Sequence, residues 1–462
     1  MLGWYDLLPM ALYLGGLIAI GLFGLFRRDR TQENLILAGR RLTLPAFVAS
    51  LVSTWYGGIL GVGEFSYRHG LSNWLAFGVP YYLAAAIFAL FLAGRARKSM
   101  ALTIPDRLYT SYGAAASVAG STILVLVTLP IANALMTGML LHQFLGLPIW
   151  IGIIAAVFFS IFHVAAGGFA AVVWSDILQF SLMFAGFIVL FFYSLFTLGG
   201  VEYLQTRLPP AHFSATGGNP VGYIAIWYVI AMGTLVDPAF YQRCFASRSV
   251  SVARRGIWIS ILFWIVFDFM TTSCGLYARA LLPQLENPAA AYPELAKAIL
   301  PAGILGIFLL SILATVMSTV DSYIFLTATT ISHDLFWRFK KFEDNRIRFY
   351  TMIGLTISGI ATIAIALSSE SVVNIWHDFG SIGTPALLLP LLVSYWGNRP
   401  YSPRGALLSI VLSTATVILA LAWPRLSGAG RYLWEIEPIF WGLAVSVMVY
   451  LLTGRRKNLP AH

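Results

Sequence analysis

The chain has 462 residues, of which 59% are hydrophobic and 10% charged, and its formal net charge is +10. With a mean hydropathy of +0.80, the chain has too much apolar surface for a soluble domain to bury. Lipid must be its main solvent, which excludes a soluble enzyme. The basic residues sit in short loops between apolar runs, so the positive charge reports membrane topology and not a nucleic-acid partner.

At roughly 20 apolar residues per span, the pattern predicts an all-α polytopic membrane protein of about thirteen transmembrane helices. In chain order these are Trp4–Phe26, Leu44–Tyr67, Trp74–Ala93, Ala114–Leu145, Ile149–Ala166, Ala171–Leu198, Val221–Ala239, Gly256–Leu281, Ala302–Phe336, Phe349–Leu367, Phe379–Trp396, Ala406–Trp423 and Pro438–Leu452. The first is read as an uncleaved span because only Asp6 precedes its apolar run and Arg27, Arg28 and Arg30 follow it. Placing the N-terminus outside puts all but six of the 29 basic residues on the cytoplasmic side, the six being Arg68, Arg207, Arg279, Lys297, Arg425 and Arg431. The opposite orientation would invert the positive-inside rule. Cys244 and Cys274 are the only cysteines and imply neither a disulfide framework nor a metal cluster.

Two helices carry breakers. The second contains Ser53-Thr54-Trp55-Tyr56-Gly57-Gly58 with Gly61 and Gly63, and the seventh contains Met232-Gly233-Thr234 with Asp237-Pro238 a turn later. Glycine pairs and an Asp-Pro step are poor helix formers and leave carbonyls free. If the first helix is peripheral, helices two to six and seven to eleven form two sets of five. An odd set makes the second enter the membrane in the opposite sense, with the broken helix first in each. The chain then divides into a peripheral segment 1–43, repeats 44–200 and 201–397, and a C-terminal pair of helices in 398–462.

The ninth helix bears Thr315, Ser318, Thr319 and Ser322, spaced i, i+3, i+4, i+7, with Asp321 beside them. That spacing lays four hydroxyls on one face. Such a stripe in lipid needs a partner or a cavity, and hard oxygens can replace the water shell of a small cation.

Several motifs together resemble the sodium/solute symporter family, which includes sodium–sugar and sodium–proline cotransporters. They are Ala38-Gly39-Arg40-Arg41-Leu42, Gly167-Gly168-Phe169 running to Trp174-Ser175-Asp176 and Gln179, Gln242-Arg243 with Ala246-Ser247-Arg248-Ser249, Met317-Ser318-Thr319-Val320-Asp321-Ser322, and Phe379-Gly380-Ser381-Ile382-Gly383-Thr384-Pro385. The resemblance implies a LeuT-type fold with alternating access, Na⁺ as the coupling ion and no other cofactor. Its sodium ligands, carried across, are the main-chain oxygens of Ser53, Tyr56 and Thr315 and the hydroxyls of Ser318 and Thr319. Carbonyls from an unwound segment plus two hydroxyls make a five-oxygen cage suited to a hard monovalent ion. A second cation site, known in some relatives, maps to Asp176, Ser318, Asp321 and Ser322. Here Asp321 stands where those relatives carry a hydroxyl, so the site could hold a cation more firmly or a proton.

Beside the breaks, Trp55, Gly57, Leu60, Trp227, Tyr228 and Asp237 are candidate solute contacts. Glu64 and Arg68, at i and i+4, most simply pair with each other. Asp268 needs a partner, His163 reads as a packing histidine, and His333-Asp334 reads as a cap at the cytoplasmic end. No phosphate loop, HExxH, CxxC or Gly-x-Ser-x-Gly is present, so neither ATP-driven transport nor an embedded hydrolase is supported. The expected function is sodium-coupled import of a small organic solute across a bacterial cytoplasmic membrane. A proton-coupled symporter and a non-transporting solute sensor are the rivals.

Overall fold

In the computed structural model, residues 3–25, 31–338, 346–369, 372–396, 400–428 and 430–454 are described. Arg27, Arg28, Arg30, Lys340, Lys341, Arg399, Arg455, Arg456 and Lys457, which carry part of the charge asymmetry, lie outside them. The described chain is helical apart from turns, with two isolated bridges as its only extended pairing.

The helices that build the body are α1 (Trp4–Leu25), α2 (Leu44–Trp55), α3 (Ile59–His69), α4 (Val79–Ile87), α5 (Ala114–Thr128), α6 (Ile131–Leu145), α7 (Ile149–Leu198), α8 (Val221–Ile230), α9 (Pro238–Ala246), α10 (Val250–Leu281), α11 (Ile304–Thr329), α12 (Ile347–Leu367), α13 (Val372–Trp396), α14 (Pro403–Leu426) and α15 (Pro438–Thr453). Among the described residues, eleven helical spans are long and apolar enough to cross a bilayer, so the count of thirteen is not reached. Two features account for the difference. The segments expected at Ile149–Ala166 and Ala171–Leu198 are two helical limbs of one 50-residue stretch, α7, which meet at a non-helical Gly168 (φ 60°, ψ −152°) and count together as one span. Only glycine fits the joint, since a Cβ there would lie 2.8 Å from the Leu35 carbonyl oxygen. The second feature is α15, whose 16 residues fall short of a full span.

Both expected breaks are present as local geometry. Between α2 and α3 the chain tightens into a 3₁₀ turn over Tyr56–Gly58. Between α8 and α9 it runs through a 3₁₀ segment, Ala231–Val236, to an extended Asp237 (ψ 118°), whose carboxylate caps α9. The second break is the sharper because proline at the first turn of α9 pushes the preceding residue out of helical geometry.

At the centre, α11 packs along α7, and α1 lies across both. Asp6 ties α1 to the start of α11, its Oδ1 accepting the Gly303 and Gly306 N–H groups at 2.7 and 3.1 Å. These are backbone donors that a helix N-terminus leaves unmatched. Cys244 and Cys274 are buried free thiols.

Candidate ion and solute site

The 3₁₀ turn after α2 lies directly against α11. Gly57 makes the approach possible, because a Cβ there would come within 2.2 Å of Thr319 Oγ1 and 2.5 Å of Asn133 Nδ2. Across this seam the Ser318 hydroxyl reaches the Ser53 carbonyl (2.8 Å) and the Thr315 carbonyl (2.9 Å). The Thr319 hydroxyl meets the Thr54 carbonyl at 2.7 Å. Ser53, Thr315 and Ser318 are fully buried. The Tyr56 carbonyl accepts the Ile59 N–H inside the turn, and the Thr315 hydroxyl is spent within α11 on the Ser311 carbonyl (2.7 Å). Thr315 therefore offers the seam its main-chain oxygen only. Carbonyl and hydroxyl oxygens make up the donor set, which suits a hard monovalent cation.

The four residues of the second expected site make no hydrogen bond to one another among the described residues. Ser318 is committed to the seam. Asp176 and Ser322 are joined by Arg243, a fully buried guanidinium on α9. Its Nη2 lies 3.2 Å from Asp176 Oδ2, 2.7 Å from Ser322 Oγ and 2.8 Å from Thr54 Oγ1, while its Nε donates to Ser50 Oγ at 3.1 Å. Ser50 in turn donates to Asp176 at 2.5 Å. Arg243 is thus removed from the cytoplasmic charges with which its position near a helix end had placed it.

Asp321 faces another way. It accepts from Ser160 and, at 3.5 Å, from Gln179 Nε2, and it lies 3.7 Å from His163 Nδ1. His163 is fully buried, and both its ring nitrogens lack a hydrogen-bond partner, as do Gln179 Oε1 and Asp176 Oδ1.

Beside the seam opens a cavity of about 350 Å³, within the range of small-molecule sites. Trp55, Gly57, Trp227 and Asp237 line it as expected from sequence. Leu60 and Tyr228 do not. Helical neighbours point about 100° apart, so Trp227 takes the inward direction and Tyr228 is left 37% exposed. Leu60 is turned into the core, and Gly58 and Gly61 present the open face of that turn to the Trp376 ring.

Asp268 also lines the cavity, held by the hydroxyls of Tyr56 (2.8 Å) and Tyr82. Glu64 and Arg68 pair at 3.1 Å as their spacing implied. His333 and Asp334 are buried and do not form a surface cap. Asp334 accepts from Thr103 and Arg338 at 2.8 Å each, and His333 lies against it.

Sequence reasoning missed Arg243 as a site residue, along with Ser50, Tyr82, Asn133 and Trp376. A signal existed for Arg243 alone, which sits amid Phe240, Tyr241, Cys244, Phe245 and Ala246 on a helix that is buried on all sides.

The family model described as the sodium:solute symporter family matches residues 35–412. A sodium/proline symporter of Haemophilus influenzae is 24% identical over 502 residues, covering 98% of this chain and 95% of that protein. A protein of the same name from Staphylococcus aureus is 24% identical, covering 99% and 94%. Among solved structures, a Na⁺-coupled sialic acid symporter in a substrate-bound outward-open state superposes with a TM-score of 0.82 at 17% identity, covering 99% of this chain and all of that one. Mhp1, a nucleobase-cation-symport-1 family transporter, gives 0.58 at 12% identity, covering 93% and 97%. These likenesses show a LeuT-type transporter fold.

Proposed function

Because the chain belongs to the sodium:solute symporter family, we propose that it imports a small organic solute by alternating access, using one sodium ion bound at the seam between α2 and α11. The ligands are the main-chain oxygens of Ser53, Tyr56 and Thr315 and the hydroxyls of Ser318 and Thr319. The observation that carries this reading is the Ser318 hydroxyl spanning the Ser53 and Thr315 carbonyls across the seam. Arg243 supports a single ion, because it already supplies a positive charge to Asp176 and Ser322. The solute sits in the adjoining cavity against Trp55 and Trp227.

With the N-terminus outside and the C-terminus in the cytoplasm, inward sodium flow drives uptake. One charge crossing 100 mV releases about 2.3 kcal/mol, and a tenfold sodium gradient adds about 1.4 kcal/mol. Together these concentrate a solute roughly 500-fold. Coupling requires sodium to favour the conformation that admits solute, so each ligand raises the other's affinity. The peripheral segment 1–43, the repeats 44–200 and 201–397 and the C-terminal residues 398–462 divide the work as scaffold and moving halves.

The test is thermal denaturation of the purified protein in NaCl against KCl at matched ionic strength, with Ser318→Ala in parallel. Sodium at 100 times its Kd should stabilise the wild type by about 2.7 kcal/mol, and the variant should lose that gain. Equal stability of the wild type in both salts would refute the sodium site.

A further inference from the structure

The wall of the solute cavity carries acidic side chains. Asp237 and Asp268 both line it, and no lysine or arginine does. Both carboxylates are oriented by neutral donors alone. Asp237 accepts the Ala239 N–H at 2.7 Å and the Tyr323 hydroxyl at 2.8 Å, and Asp268 accepts the Tyr56 and Tyr82 hydroxyls. Among the described residues neither is ion-paired. Each carboxylate oxygen keeps a further lone pair for another donor. The one histidine on the wall, His377, is held between Asp378 and Glu437 at 3.0 Å each, so any charge it gains is already matched by acids. An anionic solute would meet two acidic groups there, while the Arg243 guanidinium, set behind Thr54, is already bonded to Asp176 and Ser322.

The remaining wall is aromatic. Trp55 is braced edge-on by Tyr81, with centroids 5.2 Å apart, and Trp227 lies against Phe77 at 4.3 Å with the rings tilted by 50°. Held rings beside carboxylates are the surroundings in which an ammonium is bound, by charge from one side and by the ring quadrupole from the other.

We infer that the cavity recognises its solute by an ammonium group, held between the Asp237 and Asp268 carboxylates and the Trp55 and Trp227 rings, and that it needs no carboxylate on the solute. This rests on the cavity being the solute site proposed above.

The experiment measures binding to the purified protein in NaCl by thermal shift and calorimetry. One probe series is L-proline, its methyl ester and cyclopentanecarboxylate: the ester keeps the ring nitrogen and masks the carboxylate, and cyclopentanecarboxylate keeps the carboxylate and replaces the nitrogen by carbon. The other is choline against 3,3-dimethylbutanol, its neutral isostere. The ester should bind at least as well as proline, and removing nitrogen should weaken binding about tenfold or more in both series. Asp237→Asn and Asp268→Asn should each weaken the ammonium probes by a similar factor. Asp237→Asn keeps the helix cap, so it remains informative if Asp268→Asn does not fold.

Binding of cyclopentanecarboxylate or 3,3-dimethylbutanol as tight as that of its ammonium counterpart would overturn the inference. So would loss of binding on esterification, or absence of binding by all three ammonium compounds. The sodium shift of the wild type, read without solute, separates this from failure of the symport reading: that shift survives if only the ammonium preference is wrong.

Discussion

Two stretches of α11, one turn apart, present the same hydroxyl chemistry to different surroundings. Ser318 and Thr319 face the carbonyls of Ser53, Thr315 and Thr54. Ser322 faces Arg243, which also holds Asp176 and Thr54. A carbonyl-lined seam is suited to a positive charge from solution, whereas the second pocket carries its own on a side chain. Coupling stoichiometry in such a fold therefore depends on what the facing helices bring to the stripe.

The largest effect should come from removing the tethered charge. Arg243→Ala leaves Asp176 buried with Ser50 as its remaining polar contact. Breaking a buried pair from one side costs about 3–5 kcal/mol, which should appear as a large drop in melting temperature. The double variant Arg243→Ala with Asp176→Asn should recover a substantial part of it, a coupling that a double-mutant cycle reads directly. Additive losses would show that the pair is not a unit. Where Arg243→Gln still folds, its sodium titration should acquire a second binding phase, whereas the wild type follows a single-site curve. A wild-type Hill coefficient near two would break the comparison outright.

Next in size is Gly57→Ala. The added methyl would collide with Thr319 Oγ1 and Asn133 Nδ2 and force the seam apart. Overpacking of this kind costs about 1–3 kcal/mol, and here part of it should appear as weaker sodium binding. A variant with wild-type sodium affinity would show that the close approach does not shape the ion site.

Much of this was legible in the chain because it follows from local rules. A 3.6-residue period aligned Thr315, Ser318, Thr319 and Ser322, and Gly57-Gly58 and Asp237-Pro238 marked the breaks. What stayed hidden depends on direction and distance. Arg243 near a helix end reads as a cytoplasmic charge until α9 is seen packed between α2 and α11. Asp268 and Tyr56 lie 212 positions apart, and no spacing rule connects them. Tyr228 and Leu60 lie near the breaks, but proximity along the chain does not fix direction: Trp227 lines the cavity while Tyr228 is 37% exposed, and Leu60 is buried in the core. The joint inside α7 was legible too: the apolar stretch divides at Gly167-Gly168 in the sequence, and its two limbs meet at a non-helical Gly168.

The smallest predicted effect separates the two ways in which a residue of the stripe can serve the ion. Thr315 shares the face with Ser318, but its hydroxyl donates to the Ser311 carbonyl one turn back and only its main-chain oxygen meets Ser318. Thr315→Val keeps the β-branched shape and that carbonyl while deleting the hydroxyl. The deleted bond is internal to a helix whose Ser311 carbonyl can keep its backbone donor, so the net loss should be within about 1 kcal/mol. Sodium-dependent stabilisation should persist in Thr315→Val and vanish in Ser318→Ala, although both remove one oxygen from the same stripe. If Thr315→Val abolishes the sodium shift, the side chain and not the backbone of Thr315 faces the ion, and the cage is drawn one oxygen wrong.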